Sequence, residues 1–121
     1  MLPKENRLHQ DKEIKAVVQK GQTFFLPQFV IKYQVNKEKF TKIGFIISTK
    51  VDKKAVVRNR LARQLREVIR SFLPEMKTGY SVMIIAKKQA LELDFEALKK
   101  QMAFAFAKIK IYPDKFRKAG S

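Results

Sequence analysis

The most regular alternation of apolar and polar positions falls between Lys50 and Leu73. Placed on a helix turning about 100° per residue, Val57, Leu61, Leu65, Val68, Ile69 and Phe72 share one stripe of roughly 120°, the width a helix buries against a core. Asn59, Arg63, Arg66 and Arg70 gather within about 60° on the opposite side. The pattern therefore predicts a helix with one greasy flank and one flank of guanidinium groups. A second amphipathic helix is predicted over residues 12–20, with Asp11 as N-cap, Gly21 as C′ residue and Ile14, Val17 and Val18 on one stripe. A third begins after Asp94 as N-cap, with Phe95, Leu98, Met102, Ala105, Phe106 and Ile109 on one side and Phe104 pointing away as a surface aromatic.

Strand signals fill the gaps between these helices. Residues 22–36 are rich in aromatic and β-branched types, and Pro27, which has no N–H to donate, predicts a break, bulge or edge within them. Beyond it Phe29, Ile31, Tyr33 and Val35 alternate with Val30, Lys32 and Gln34, the period of a half-buried strand. After a polar turn at 36–39, a strand over 40–49 carries the run Ile43-Gly44-Phe45-Ile46-Ile47, too continuously apolar to face water on both sides, with Gly44 marking a close backbone approach or a bulge. Residues 80–87 form another buried strand. The predicted architecture is α+β, a two-layer α/β sandwich in the order αβββαβα with about four strands in a mixed sheet. A strand, a helix and a second buried strand imply a parallel pair joined by the Arg-rich helix, and such crossovers are nearly always right-handed. Residues 1–10 read as a basic arm with Leu8 folding back, residues 1–112 as one domain, and residues 113–121 as a basic disordered tail.

Charge changes the reading of the polar flank. The chain has 121 residues, with 27 Lys and Arg against 11 Asp and Glu, a net charge of +16. That imbalance costs self-repulsion in the compact state and points to a polyanionic partner, nucleic acid before an anionic membrane. Five arginines of the central stretch, Arg58, Arg60, Arg63, Arg66 and Arg70, are offset there only by Glu67. Arg offers planar, bidentate donors that match phosphate, where Lys offers a compact charge. Lys50, Lys53 and Lys54 lie in the approach to the first helical turn, whose unpaired N–H groups and positive dipole end add backbone donors to the same surface. A hydrophobic fraction of 45% is enough for one packed core, and there is no cysteine, which removes thiol, disulfide and Cys-based zinc chemistry. Residues 1–10 show no signal-peptide pattern and no apolar run approaches the roughly 18 residues of a membrane span, so a cytoplasmic, non-membrane protein is expected.

Protein-based catalysis is not indicated. A single His9 in a polar stretch leaves no nucleophile–base pair and no metal-ligand cluster. Glu92, Asp94 and Glu96 stand at a helix start, where capping and dipole complementation explain them. The residues themselves describe a protein that binds a polyanion, nucleic acid first; a non-catalytic ribosome-associated or RNA-folding protein and a membrane-surface protein are competing readings.

The series Lys50-Val51-Asp52-Lys53-Lys54-Ala55-Val56-Val57-Arg58-Asn59-Arg60-Leu61-Ala62-Arg63-Gln64-Leu65-Arg66 resembles the signature of the bacterial ribonuclease P protein subunit. Arg7-Leu8, Glu13-Ile14, Gly21, Phe29-Val30, Ile43-Gly44 and Ile84-Ile85-Ala86-Lys87 extend the resemblance over roughly residues 6–112. It implies a ribosomal-protein-like fold with a left-handed βαβ crossover. It also implies a subunit, monomeric in a 1:1 complex, that binds the catalytic ribonuclease P RNA and the 5′ leader of precursor tRNA. In such an enzyme the RNA performs the endonucleolytic cut with Mg²⁺ held mainly by the RNA, and the protein binds no cofactor tightly and supplies no catalytic residue. Carried over residue by residue, the resemblance makes Lys50, Lys53, Lys54, Arg58, Asn59, Arg60, Arg63, Arg66 and Arg70 the RNA contacts. It makes Ile14, Val18, Val30 and Lys32 the lining of the leader cleft, where relatives carry aromatics at the two helix positions and commonly at the position of Lys32. Ala62 stands where relatives often have another basic residue.

Overall fold

The computed structural model describes residues 2–111. Along them run α1 (Asp11–Lys20), β1 (Gln22–Phe25), β2 (Phe29–Val35), β3 (Lys42–Ile46), α2 (Ala55–Phe72), β4 (Tyr80–Ala86) and α3 (Phe95–Lys108), with short 3-10 turns at Lys4–Asn6, Leu73–Glu75 and Lys88–Glu92. This is the expected αβββαβα order. The tail expected over residues 113–121 lies outside the described residues.

The sheet runs β1-β2-β4-β3. β1 and β2 are antiparallel, as are β2 and β4, while β3 and β4 are parallel. β4 is the hub. It pairs on both edges, and Ser81, Val82, Met83 and Ile84 are all buried, so successive side chains feed two different cores. On one face Val82 and Ile84 join Phe29, Ile31 and Ile43 against Leu61, Leu65, Val68, Ile69 and Phe72 of α2 and Leu98, Met102, Ala105 and Phe106 of α3. On the other face Met83 meets Val17 of α1 and Leu8. The sandwich of sheet with α2 and α3 thus gains α1 as cover on its far side. Each of the five fully buried α2 side chains contributes about 1.5–3 kcal/mol of transfer free energy.

Local departures from the sequence reading have physical causes. The N-cap of α1 is Gln10 rather than Asp11, which is the first helical residue, and no side chain caps that end. Asp11 instead sits where a carboxylate complements the dipole. Gly21 is extended, with φ −71°, and so is not a left-handed C′ residue. A glycine is required there by space, because a Cβ would collide with the Val17 carbonyl oxygen and come within 2.9 Å of the Tyr33 carbonyl oxygen. The strand expected over 40–49 is shorter, Lys42–Ile46, and leaves Phe40 46% exposed in the turn before it. Pro27 marks a hairpin turn between β1 and β2, closed by the Leu26 N–H donating to the Phe29 carbonyl at 2.8 Å.

The stretch read as a basic arm is tied down along its length. Leu2 is 3% exposed in the α2-side core and Leu8 is 5% exposed in the α1-side core, so residues 2–8 wrap the open edge of β3. Arg7 forms a parallel bridge with Ile43, the Leu8 N–H donates to the Ile43 carbonyl at 3.1 Å, and Asn6 donates to the Thr41 carbonyl at 2.8 Å. An edge that would otherwise template aggregation is thereby covered. Lys42 locks α1 to the same edge, with its ammonium 3.1 Å from Glu13 and 3.3 Å from Glu38. The Glu13 hydrogen bond, partly opposed by burial, raises the Lys42 pKa above its ordinary 10.5. This contribution to stability is therefore fully present below that value and is lost as pH rises through the raised one.

Gly44 is the point where the wrap touches the sheet. A Cβ there would lie 2.8 Å from the Leu8 carbonyl oxygen and 2.9 Å from the Met83 methyl carbon. Gly44→Ala is expected to lower the unfolding free energy by about 1–3 kcal/mol, read from urea denaturation. An unchanged midpoint would show that residues 2–8 do not depend on this approach.

Candidate nucleic-acid interface

The basic surface begins where β3 ends. The loop over residues 47–54 is held by Val51, 2% exposed in the α2-side core, whose N–H donates to the Ser48 carbonyl at 3.0 Å. The Asp52 carboxylate accepts from the Lys54 N–H at 2.8 Å, an Asx turn that aims the chain into α2. With the acid committed to that turn, Lys54 is the N-cap of α2, no side chain caps the helix, and its first turn contains no Asp or Glu. The positive dipole end is left for an external anion.

Lys50, Lys53 and Lys54 border one hollow of about 370 Å³, and Lys88 closes it from the turn after β4. Lys88 was not among the sequence candidates. The signal that could have found it is the parallel β3–β4 pair, which brings the C-terminal ends of both strands, and hence Lys50 and Lys88, to one rim.

Along α2 the expected division holds. Leu61, Leu65, Val68, Ile69 and Phe72 are buried and Val57 is half-buried, whereas Asn59, Arg63 and Arg70 are exposed and Arg66 is half-buried. Among the described residues the only ion pairs are those of Lys42, so none of the α2 guanidinium groups is neutralised by an internal carboxylate. Arg66 borders a hollow of about 290 Å³ with Arg7, a second cation missed in the sequence because residues 1–10 were read as an arm. The Arg7 Nε donates to the Leu2 carbonyl at 2.8 Å, which fixes its stem beside α2.

Two candidates depart from the single row. Arg60 lies on the other flank, bordering a hollow with Gln64, Leu91, Asp94 and Phe95 at the start of α3. Arg58 turns back under the helix start, its Nη1 donating to the Asp52 and Lys53 carbonyls at 2.8 Å each. Its role is thus partly structural, since it ties the lysine loop to α2.

The four cleft candidates meet on the α1 side of the sheet. Ile14 and Val18 pack with Ile46 and Ile85 around Leu8, Val17 and Met83. Val30 stands opposite Ile85 in the register, and Lys32 opposite Met83. All four are half-buried, and the Lys32 Nζ donates to Thr23 Oγ1 at 3.2 Å. The four thus form a half-buried, mainly aliphatic strip with one ammonium at its side, the strip that the resemblance makes the lining of a leader trough.

At the start of α3, Asp94 Oδ1 accepts from the Ala97 N–H at 2.8 Å, the capping role expected of it. Phe104, 46% exposed, is partly covered, with the Phe24 ring 6.4 Å away and the Lys108 ammonium 5.6 Å from its centroid.

The two ends of this surface separate experimentally. Arg58→Ala is expected to lower the unfolding free energy by about 1–2 kcal/mol through loss of its carbonyl contacts. Arg63→Ala should move it by no more than about 0.5 kcal/mol. Coincident denaturation curves for the two variants would show that the Arg58 contacts carry no stability.

The chain is similar to known proteins over nearly all of its described residues. The family model described as Ribonuclease P matches residues 2–110. A ribonuclease P protein component from Bacillus mycoides (strain KBAB4) is 39% identical over 107 residues, covering 87% of this chain and 91% of the relative. One from Rippkaea orientalis is 36% identical over 115 residues, covering 91% of each. Among solved structures, the Staphylococcus aureus RNase P protein superposes with a TM-score of 0.81 at 20% identity, covering 89% of this chain and 98% of that one. The Thermotoga maritima RNase P protein gives 0.72 at 23% identity, covering 79% and 90%. The match spans nearly all described residues, and the chain belongs to the ribonuclease P protein component family.

Proposed function

We infer that, as the protein component of ribonuclease P, this chain grips the catalytic RNA with α2 and the lysine loop and holds the 5′ leader of precursor tRNA in the trough beneath α1. The observation that carries the reading is the guanidinium flank of α2, which has no internal carboxylate partner, together with the Lys50–Lys53–Lys54–Lys88 hollow at the entry to the same helix. Such a flank is suited to a ribose-phosphate chain, with Arg63, Arg66 and Arg70 as forked donors and Asn59 beside them. Family membership sets aside the ribosomal and RNA-folding alternatives. Against membrane attachment, α2 spends its apolar stripe on the core, and among the described residues no helix is long and apolar enough to cross a membrane.

The work of the chain is binding and orientation. By placing cations between two polyanions it lowers the repulsion between the RNA subunit and its substrate. In the trough, Lys32 holds a phosphate while Ile14, Val18 and Val30 contact the leader's apolar faces. The resemblance implies that Mg²⁺ is held mainly by the RNA subunit, where it would activate the attacking water. Among the described residues no group of three or more His, Cys, Asp or Glu is placed to hold an ion. A monomer in a 1:1 complex with the RNA is the assembly that the resemblance implies.

Reconstitution with a bacterial ribonuclease P RNA tests this reading. Cleavage of precursor tRNA should improve most when Mg²⁺ is scarce, and an equal benefit at low and high Mg²⁺ would sink the screening argument. Neutralising about six phosphates predicts a slope of about −4 to −5 for log affinity against log salt. A slope near zero would remove the electrostatic basis.

A further inference from the structure

We propose that Phe25 is the base-stacking platform of the leader trough, taking one unpaired nucleobase of the 5′ leader on its ring. The proposal rests on the leader reading above and adds a residue that neither the signature nor the family's helix positions supplied.

The sheet register carries the argument. Phe25 stands opposite Val30, Val30 opposite Ile85, and Ile85 opposite Ile46. These four side chains form one row on the α1 face, about 14 Å across from edge strand to edge strand. Ile46 and Ile85 pack on the same Leu8, Val17 and Met83 cluster as Ile14 and Val18, so the row lies on the face that α1 covers, and Phe25 is its β1 end. Phe25 is 71% exposed, against 46% for Phe40 and 46% for Phe104. Of these three exposed aromatics it alone faces the trough: Phe40 lies in the turn before β3, and Phe104 stacks with Phe24, the β1 neighbour that faces the other side of the sheet.

The hairpin beneath the ring is fixed. It is closed by Leu26 N–H to the Phe29 carbonyl, and the Lys87 Nζ donates to the Leu26 carbonyl at 3.0 Å. The Lys87 N–H donates to the Gln28 carbonyl at 2.9 Å, and Gln101 of α3 donates to the Gln28 side chain. Binding to a ring on an ordered backbone costs only its side-chain freedom. Its charge environment matches a nucleotide, because Lys32 lies diagonally across the β1–β2 pair on the same face, drawn toward β1 by Thr23. One nucleotide can thus stack its base on Phe25 and set its phosphate at Lys32. Aromatic stacking, absent at Ile14, Val18 and Lys32, is supplied from the adjacent strand.

The test uses holoenzyme reconstituted with wild-type chain, Phe25→Ala, Phe25→Leu and Phe25→Trp. Affinity is measured for precursor tRNA and for the same tRNA without its leader, alongside 2-aminopurine fluorescence at successive leader positions. Phe25→Ala and Phe25→Leu should weaken precursor binding by about five- to a hundredfold, leave leaderless binding unchanged and relieve quenching at one position, while Phe25→Trp retains all three. Because the side chain is exposed, melting temperatures should stay unchanged. If wild-type holoenzyme prefers the precursor and Phe25→Ala retains that preference, the stacking proposal fails and the leader reading stands. If wild type shows no such preference, the leader reading itself fails. If Phe25→Ala changes only self-association in sedimentation, the exposed ring belongs to the β1 edge of a second copy and the proposal is overturned.

Discussion

The structure depends on β4 being buried on both faces while paired on both edges. A strand in that position must be apolar at nearly every residue, and Val82, Met83, Ile84 and Ala86 satisfy it. Its parallel neighbour β3 cannot be reached by a tight turn, so the chain must cross over, and α2 is that crossover. The same constraint therefore fixes the helix that carries the guanidinium flank and the loop of lysines that leads into it. It also brings the ends of β3 and β4 side by side, which is why Lys88, remote in sequence, closes the hollow begun by Lys50.

Four of the eleven acidic side chains are committed to architecture. Glu13 and Glu38 hold Lys42, Asp52 shapes the entry to α2, and Asp94 caps α3. No carboxylate among the described residues pairs with an α2 arginine, so the surplus positive charge is concentrated where nothing internal relieves it. The fold tolerates that repulsion because the opposite flank of the same helix is sunk in the core through Leu61, Leu65, Val68, Ile69 and Phe72.

Much of this was legible because the strongest patterns are local. The stripe of α2, the buried run of β4 and the Asp94 cap each occupy contiguous residues and appear in the structure as read. What escaped depends on partners distant in sequence. Leu2 and Leu8 look like isolated apolar residues in a charged stretch, yet each enters a different core once the segment folds over β3. Arg58 reads as one more contact in a basic row, and only the path of the loop shows it bonded to two carbonyls. Phe24 and Phe25 are indistinguishable as neighbouring aromatics until the hairpin register assigns them to opposite faces.

The wrap of residues 2–8 around β3 couples the two sides of the sheet mechanically. Leu2 is seated beneath α2, Leu8 is seated beneath α1, and Arg7 between them emerges next to Arg66. The first few residues serve as a clasp, with one jaw in each hydrophobic layer, so loosening either layer frees the covered edge of β3 as well.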